Sequence, residues 1–211
     1  MALPHIRARI AAYRPSVIDE PKVARAAVAL VLGDVGAGVE LLLIQRAIRD
    51  DDPWSGHMAL PGGRRAPDDA DAVATATRET FEEVGVDLAA DAEVVGRLDE
   101  LRAVARHRPL DLVITPVVYA LRRAVAVRPS PREVESAVWV PVSFLASADA
   151  VATYTRTLDG ATSDYPAFRY QGYTIWGLTH RILQGFLEIV GGEELVAGHT
   201  KGEGRTTKDE G

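Results

Sequence analysis

Residues 23–45 run VARAAVALVL, GDVGAG and VELLLIQ: two largely apolar stretches joined by a glycine-rich segment. Apolar runs of this length, bounded by turn residues, have the signature of buried strands, so 23–32 and 39–45 are expected to pair as a hairpin across 33–38. A buried hairpin needs a core around it. The chain's 211 residues are enough for one compact domain with an appendage and too few for two independent cores.

The segments that follow supply candidates for that core. Residues 50–56, DDDPWSG, read as a loop; 57–60 are expected to form a short strand that enters the sharp Pro61-Gly62-Gly63 turn. A helix is predicted over 71–84, with Val73, Ala76, Phe81 and Val84 near helical spacing, acids at its start and Gly85 as its stop. Strands are expected at 92–98, at 111–121 and at 137–142, the last carrying a proline that suits an edge or a strand end. Residues 168–175 read as a strand pair around Gln171-Gly172, and 176–190 as a closing helix bearing Leu178, Ile182, Leu183, Phe186 and Ile189. Residues 1–22 are read as an N-terminal arm, 23–190 as the domain, and the polar, glycine-rich 191–211 as a disordered tail.

Composition removes several classes of chemistry. Cysteine is absent, so disulfides, thiolate metal sites and cysteine nucleophiles are excluded together. A net charge of -6 argues against broad attraction to nucleic acid, whose phosphates are neutralised by Lys and Arg, while leaving nucleotides open as ligands when a divalent cation reverses the local sign. No apolar run approaches the ~20 residues of a membrane span. The N-terminus has no apolar core of a secretory signal, which gives a cytoplasmic location as the expectation.

The chemistry concentrates in RETFEEVG, residues 78–85. At about 100° per residue, Glu79 and Glu83 lie about 40° apart on successive turns and Glu82 about 60° to the other side of Glu79. All three are expected to converge on one point. Like charges at this spacing repel. An oxygen-rich, sulfur-free cluster suits a hard cation such as Mg²⁺ or Mn²⁺, which keeps several waters and shares its remaining positions with substrate phosphates. Arg78 could bridge to a carboxylate and orient it through its planar fork. A solvated acidic helix would carry the same letters, but it leaves the ALPGG elbow upstream without a purpose.

The stretch GRRAPDDADAVATATRETFEEVGV, residues 63–86, resembles the Nudix box: G, five residues, E, seven residues, RE, an apolar residue, any residue, EE, any residue, G and an apolar residue. Thr80 occupies the apolar slot, Asp69 stands in the first acidic slot, and eight residues rather than seven separate it from Arg78. That excess, with LPGG before the box, LLLIQRA further upstream and IWGLT at 175–179, is similar to the coenzyme A type branch of Nudix hydrolases.

The resemblance implies an α/β (α+β) fold, an α/β/α sandwich with a mixed central sheet. It also implies a pyrophosphohydrolase that cleaves a nucleoside diphosphate linked to another moiety. Coenzyme A or an acyl derivative is the leading substrate; NDP-sugars, dinucleoside polyphosphates and (d)NTPs stay open, as does a module that binds nucleotides without cleaving them. Carried over residue by residue, the family pattern makes Glu79 and Glu83 ligands of Mg²⁺ or Mn²⁺, Glu82 a ligand directly or through water, the Gly63 carbonyl a further ligand, and Arg78 the partner of Glu79. Asp69 has two readings, a box acid or a helix N-terminal charge. Glu133 in PREVESAVWVP is the candidate general base, with Glu135 as alternate; either could be a solvated loop acid. Arg46, Arg64 and Arg65 flank the expected diphosphate site and are candidate phosphate ligands, or else solvated charges. His57 and His107 are weaker candidates, Trp54 is a stacking or a covering residue, and Trp139 and Trp176 are assigned to packing. The N-terminal arm and the edge strands are candidate surfaces for a homodimer.

Overall fold

A computed structural model describes residues 1–34, 38–48, 55–105, 108–158 and 161–191. The expected hairpin is its centre: β1 (Ala24–Asp34) pairs antiparallel with β2 (Val39–Arg46), Leu32 opposite Leu41. The other edge of β1 runs parallel to β7 (Arg108–Leu121), with Ala24 opposite Leu112 and Leu32 opposite Ala120. Antiparallel additions complete a mixed eight-stranded sheet: β3 (Met58–Ala59) and β8 (Val134–Pro141) on β2, β4 (Gly62–Arg64) on β1, β5 (Ala92–Arg97) and β6 (Leu101–Ala105) on β7.

The unbroken apolar runs of β1 and β2 follow from burial on both faces, the usual circumstance of a strand with a parallel neighbour. Leu30, Leu32, Leu41 and Leu43 point into one core, while Ala27, Ala29, Val31, Leu42 and Ile44 point into the other. Side-chain period 2 sorts them. The first core is roofed by α5 (Gly177–Gly191) through Ile182, Leu183, Phe186 and Val190; the second is covered by α2 (Ala72–Val84) through Ala76 and Val84, and by α3 (Leu88–Asp91) through Leu88. The result is an α/β/α sandwich.

Helix α2 starts and stops where its punctuation requires. Asp71 accepts from the Ala74 amide at 3.0 Å as N-cap, and Gly85 adopts φ 68°, donating its amide to Phe81 O at 2.9 Å. Its buried stripe differs from the expected one. Phe81 is 57% exposed, and Thr80 is fully buried in its place, its hydroxyl donating to Ala76 O at 2.7 Å. Four residues after Ala76, Thr80 lies on the core stripe, whereas Phe81 lies about 100° further round.

Of the additions to the expected set, two shape the core and the site's surroundings. Residues 1–22 contain α1 (Leu3–Ala12), whose Ile6 and Ile10 are buried in the first core with α5. The segment read as an N-terminal arm thus places two side chains, Ile6 and Ile10, in the core. Glu100 reinforces the attachment by accepting from the Ile18 amide and pairing with Arg25 at 2.9 Å.

The second addition is a three-stranded antiparallel sheet, β9 (Val151–Leu158), β10 (Ala161–Tyr170) and β11 (Tyr173–Trp176), of which only the pair turning at Gln171-Gly172 was expected. A short helix α4 (Val142–Leu145) and a 3-10 turn at Ala148–Ala150 lead into it. Among the described residues no helix is long and apolar enough to cross a membrane. The expected tail, apart from Gly191, lies outside the described residues, as do Trp54 and His107.

Candidate active site

Strand β4 pairs with the start of β1, Gly63 opposite Ala27, which sets the Gly62-Gly63 elbow across the face of α2. Two close approaches make glycine necessary there. A Cβ on Gly62, at φ 153°, would lie 2.3 Å from the Ala27 carbonyl oxygen; one on Gly63 would lie 2.5 Å from the carboxyl carbon and Oε2 of Glu79. The elbow is thus closed against backbone on one side and against a carboxylate on the other.

A cleft of about 270 Å³ opens at this junction. Glu79, Glu83 and Glu133 bring carboxylates to it, Arg46 and Arg64 bring guanidinium groups, and Gly62 and Gly63 form part of its wall. Glu133 arrives from a different part of the chain. The loop before β8 is fastened to the end of α2 by the Ser130 amide donating to Glu83 O at 2.8 Å, and to the end of β2 by the Ala47 amide donating to Glu133 O at 2.9 Å.

The electrostatics of the cleft are strained in one direction. Glu83 is 3% exposed and accepts a single described hydrogen bond, from the Gly62 amide at 2.9 Å. Burial pushes its carboxyl up to about 8; the Gly62 amide opposes this, and the charges of Glu79 and Glu133 add to the rise. Glu79 is raised chiefly by burial, against the pull of Arg78. A buried and a half-buried carboxylate side by side, both shifted upward chiefly by desolvation, create a local demand for positive charge.

Arg78 sits at the rim as a hub. It ion-pairs with Glu79 Oε1 at 2.9 Å and Glu82 Oε2 at 2.9 Å, donates to Arg64 O at 3.0 Å, and forks onto both carboxylate oxygens of Asp69 at 3.1 and 2.9 Å. The Arg78 contacts hold the buried Asp69 well below the usual carboxylate range, with the Ala66 amide contributing a further hydrogen bond at 2.8 Å. The helix N-cap is Asp71 rather than Asp69. With eight residues between them, Asp69 and Arg78 still pair.

Other expected residues stand elsewhere. Glu82 is turned to Arg78, so the three box glutamates do not converge on one point, and among the described residues no three His, Asp or Glu side chains already form a metal cage. Arg65 donates to the Asp69 and Ala70 carbonyls, bracing the turn, and does not line the cleft. Glu135 also lies off the cleft, as the extra residue of a bulge where Gln45 faces Ser136 and Arg46 faces Val134. Trp139 packs against the second core, and Trp176 lies in an aromatic group with His57, Tyr154 and Tyr165. Sequence reasoning overlooked that group. Its available signal was the alternation in VATYTRTL and ATSDYPAF around Asp159-Gly160, a typical hairpin pattern.

The carboxylates of the cleft fit a divalent cation in chemical kind: they are oxygen donors, and the buried Glu83 and half-buried Glu79 disfavour each other's charge beside the glycine elbow.

Comparison with known proteins agrees with this geometry. A family model described as the NUDIX domain matches residues 22–159. An uncharacterized Schizosaccharomyces pombe protein is 47% identical over 109 residues, covering 50% of this chain and 32% of its own. A Photorhabdus laumondii protein named as the Nudix hydrolase NudL is 30% identical over 129 residues, 61% of this chain and 66% of its own. The chain thus spans about a third and just under two thirds of those two relatives. A human protein named mitochondrial coenzyme A diphosphatase NUDT8 is 32% identical over 171 residues, 79% of this chain and 70% of its own. With the Gly62-Gly63 elbow, the Arg78 hub and the Glu79-Glu83 cleft all provided by the matched segment, the chain belongs to the Nudix family.

Proposed function

We propose that the protein is a divalent-metal-dependent pyrophosphohydrolase whose substrate is a nucleoside diphosphate joined to a second moiety, with coenzyme A or an acyl-coenzyme A as the preferred compound. Its products would be adenosine 3′,5′-bisphosphate and the corresponding 4′-phosphopantetheine. The observation that carries the reading is the joining of Glu79 and the buried Glu83 with Arg46 and Arg64 in one cleft beside a glycine elbow. The substrate preference is supported by the human relative's name, by the LPGG element and by the lengthened spacer between Asp69 and Arg78.

In this reading Glu79 and Glu83 hold Mg²⁺ or Mn²⁺, with the Gly63 carbonyl as a further ligand and Glu82 acting through water. The metal, when bound, neutralises diphosphate charge and makes water a stronger nucleophile at neutral pH. Arg78 fixes the direction of the Glu79 carboxylate through its anchorage on Asp69, a positioning role. Arg46 and Arg64 receive phosphate oxygens; their planar forks suit that task. Glu133 accepts a proton from the attacking water, being an exposed carboxylate of the cleft with access to solvent. Arg65 acts on the turn rather than on substrate. A small polar substrate of this kind is consistent with work in the cytoplasm.

The intact Arg78, Glu79, Glu82 and Glu83 set favours catalysis over nucleotide sensing. The test is product release from coenzyme A, acyl-coenzyme A, NDP-sugars, dinucleoside polyphosphates and NTPs with Mg²⁺ or Mn²⁺, alongside Glu83→Gln. Coenzyme A should be cleaved with the highest kcat/KM. Turnover of none of them, or an undiminished mutant, refutes the enzymatic reading; a preference for another compound refutes the substrate.

A further inference from the structure

One face of the small sheet carries an aromatic cluster that the proposed chemistry does not use. Tyr154 and Tyr165 are directly opposed across β9 and β10, and Trp176 is brought beside them by the pairing of Ala167 with Trp176. Trp176 lies 4.5 Å from Tyr154 and 5.3 Å from Tyr165 between ring centroids, and the His57 ring meets it edge-on at 4.9 Å. The Arg156 guanidinium sits over the indole at 5.5 Å. All five side chains are half-buried. The opposite face is open along most of its length, with Thr153, Thr155, Thr157, Thr162, Asp164 and Pro166 exposed, and it joins the core only at its end, where Phe168 packs against the buried His180.

Two features set this cluster apart from ordinary packing. It is placed beside the cleft: the Arg46 amide donates to His57 O at 3.0 Å, so the residue that walls the cleft and the residue whose ring touches Trp176 are hydrogen-bonded neighbours. It also combines rings with a cation, on the less exposed side of the strand that bears Arg156, whose other side carries the exposed Thr153, Thr155 and Thr157. Partly exposed aromatic rings bind bases through their faces with little regard to sequence, and arginine adds both stacking and phosphate recognition.

We infer that the Tyr154-Tyr165-Trp176 face with Arg156 is the subsite for the nucleoside end of the substrate, the rings receiving a purine base and Arg156 a phosphate on the ribose distinct from the diphosphate being cut. The inference rests on the proposed coenzyme A reading and names the part of the protein that would distinguish coenzyme A from its dephospho form. Tyr165 and Trp176 contribute to KM for any adenine nucleotide; Arg156 contributes only where the ribose phosphate is present.

The test is calorimetric binding of adenosine 3′,5′-bisphosphate and of 5′-AMP to wild type, Arg156→Gln and Tyr165→Ala, with steady-state kinetics on coenzyme A and dephospho-coenzyme A. Melting temperature and circular dichroism report on folding, and Tyr165→Phe serves as the conservative control. Arg156→Gln should weaken the bisphosphate about tenfold while leaving 5′-AMP unchanged, as expected for loss of one charged hydrogen bond. Tyr165→Ala should weaken both ligands and raise KM with kcat retained, and Tyr165→Phe should restore them. Wild type that cleaves coenzyme A with neither variant altering affinity or KM overturns this inference alone. Wild type that binds neither nucleotide and leaves coenzyme A uncut overturns the substrate reading and this inference with it.

Discussion

Burial, with the Glu79 charge beside it, holds the Glu83 carboxyl near about 8, so in the metal-free protein its ionisation works against folding. A carboxyl with a raised folded-state pKa exacts no cost below its unfolded value near 4.5; stability then falls as pH rises and levels off above about 8. Glu83→Gln removes that cost while keeping an oxygen for the Gly62 amide. Its apo melting temperature should overtake that of wild type as pH rises from 5 to 8, although turnover drops on the order of a hundredfold or more. Asp69 has the opposite sign. Its depressed pKa gives stability that is present above its ordinary value of 3.8 and lost as pH falls through the folded value, so Asp69→Asn should cost most at pH 7 and little in strong acid, as read by urea unfolding. Gly63→Ala tests the elbow. The added Cβ meets the mobile end of Glu79 rather than backbone, so stability should change by less than about 1 kcal/mol while kcat falls roughly a hundredfold, because a displacement near 1 Å in a catalytic group has that effect.

At the level of elements, the helices do different work on the two faces of the sheet. Helix α2 brings Glu79 and Glu83 to the cleft, and its C-terminus also captures the loop that brings Glu133, through the Arg128 and Ser130 amides bonding to Val84 O and Glu83 O. Helix α1 delivers stability. Gly96 on β5 lets it approach: a Cβ there would lie 2.8 Å from Ile10 Cγ2 and 3.3 Å from the Ile10 carbonyl oxygen. Ile10→Ala should cost about 2–5 kcal/mol by denaturant unfolding. Gly96→Ala should destabilise through the same contact, and because the two residues touch, their combined effect should be less than the sum. Both variants should keep kcat in the folded fraction, since α1 and the cleft lie on opposite faces of the sheet.

On the scale of the whole molecule, the charge deficit of the cleft is the property most open to measurement. Chelation should abolish activity, and restoring Mg²⁺ or Mn²⁺ should return it. Added metal should raise the melting temperature more at pH 6.5 than in Glu83→Gln, and its binding there should release protons, because the cation replaces the proton that Glu83 holds below about 8. The central hairpin, helix α2 with its stop at Gly85, the closing helix and the candidate cleft residues Glu79, Glu83, Arg46 and Arg64 were legible in the sequence, because local periodicity and turn chemistry encode them within a few residues. The direction of Glu82, the anchorage of Asp69 on Arg78, the bracing role of Arg65 and the burial of Thr80 in place of Phe81 were not. Each depends on which groups a fold brings within hydrogen-bonding distance or on which side of a helix the core falls. The same is true of α1, whose two isoleucines in a polar stretch form too short a pattern to announce a core helix, and of the aromatic face around Trp176, assembled from three strands and a distant loop. The sequence by itself determined the central elements and which side chains could reach the candidate cleft; only the tertiary structure decided which charges share that cleft and which neutralise each other, because that choice is made by packing between segments far apart in the chain.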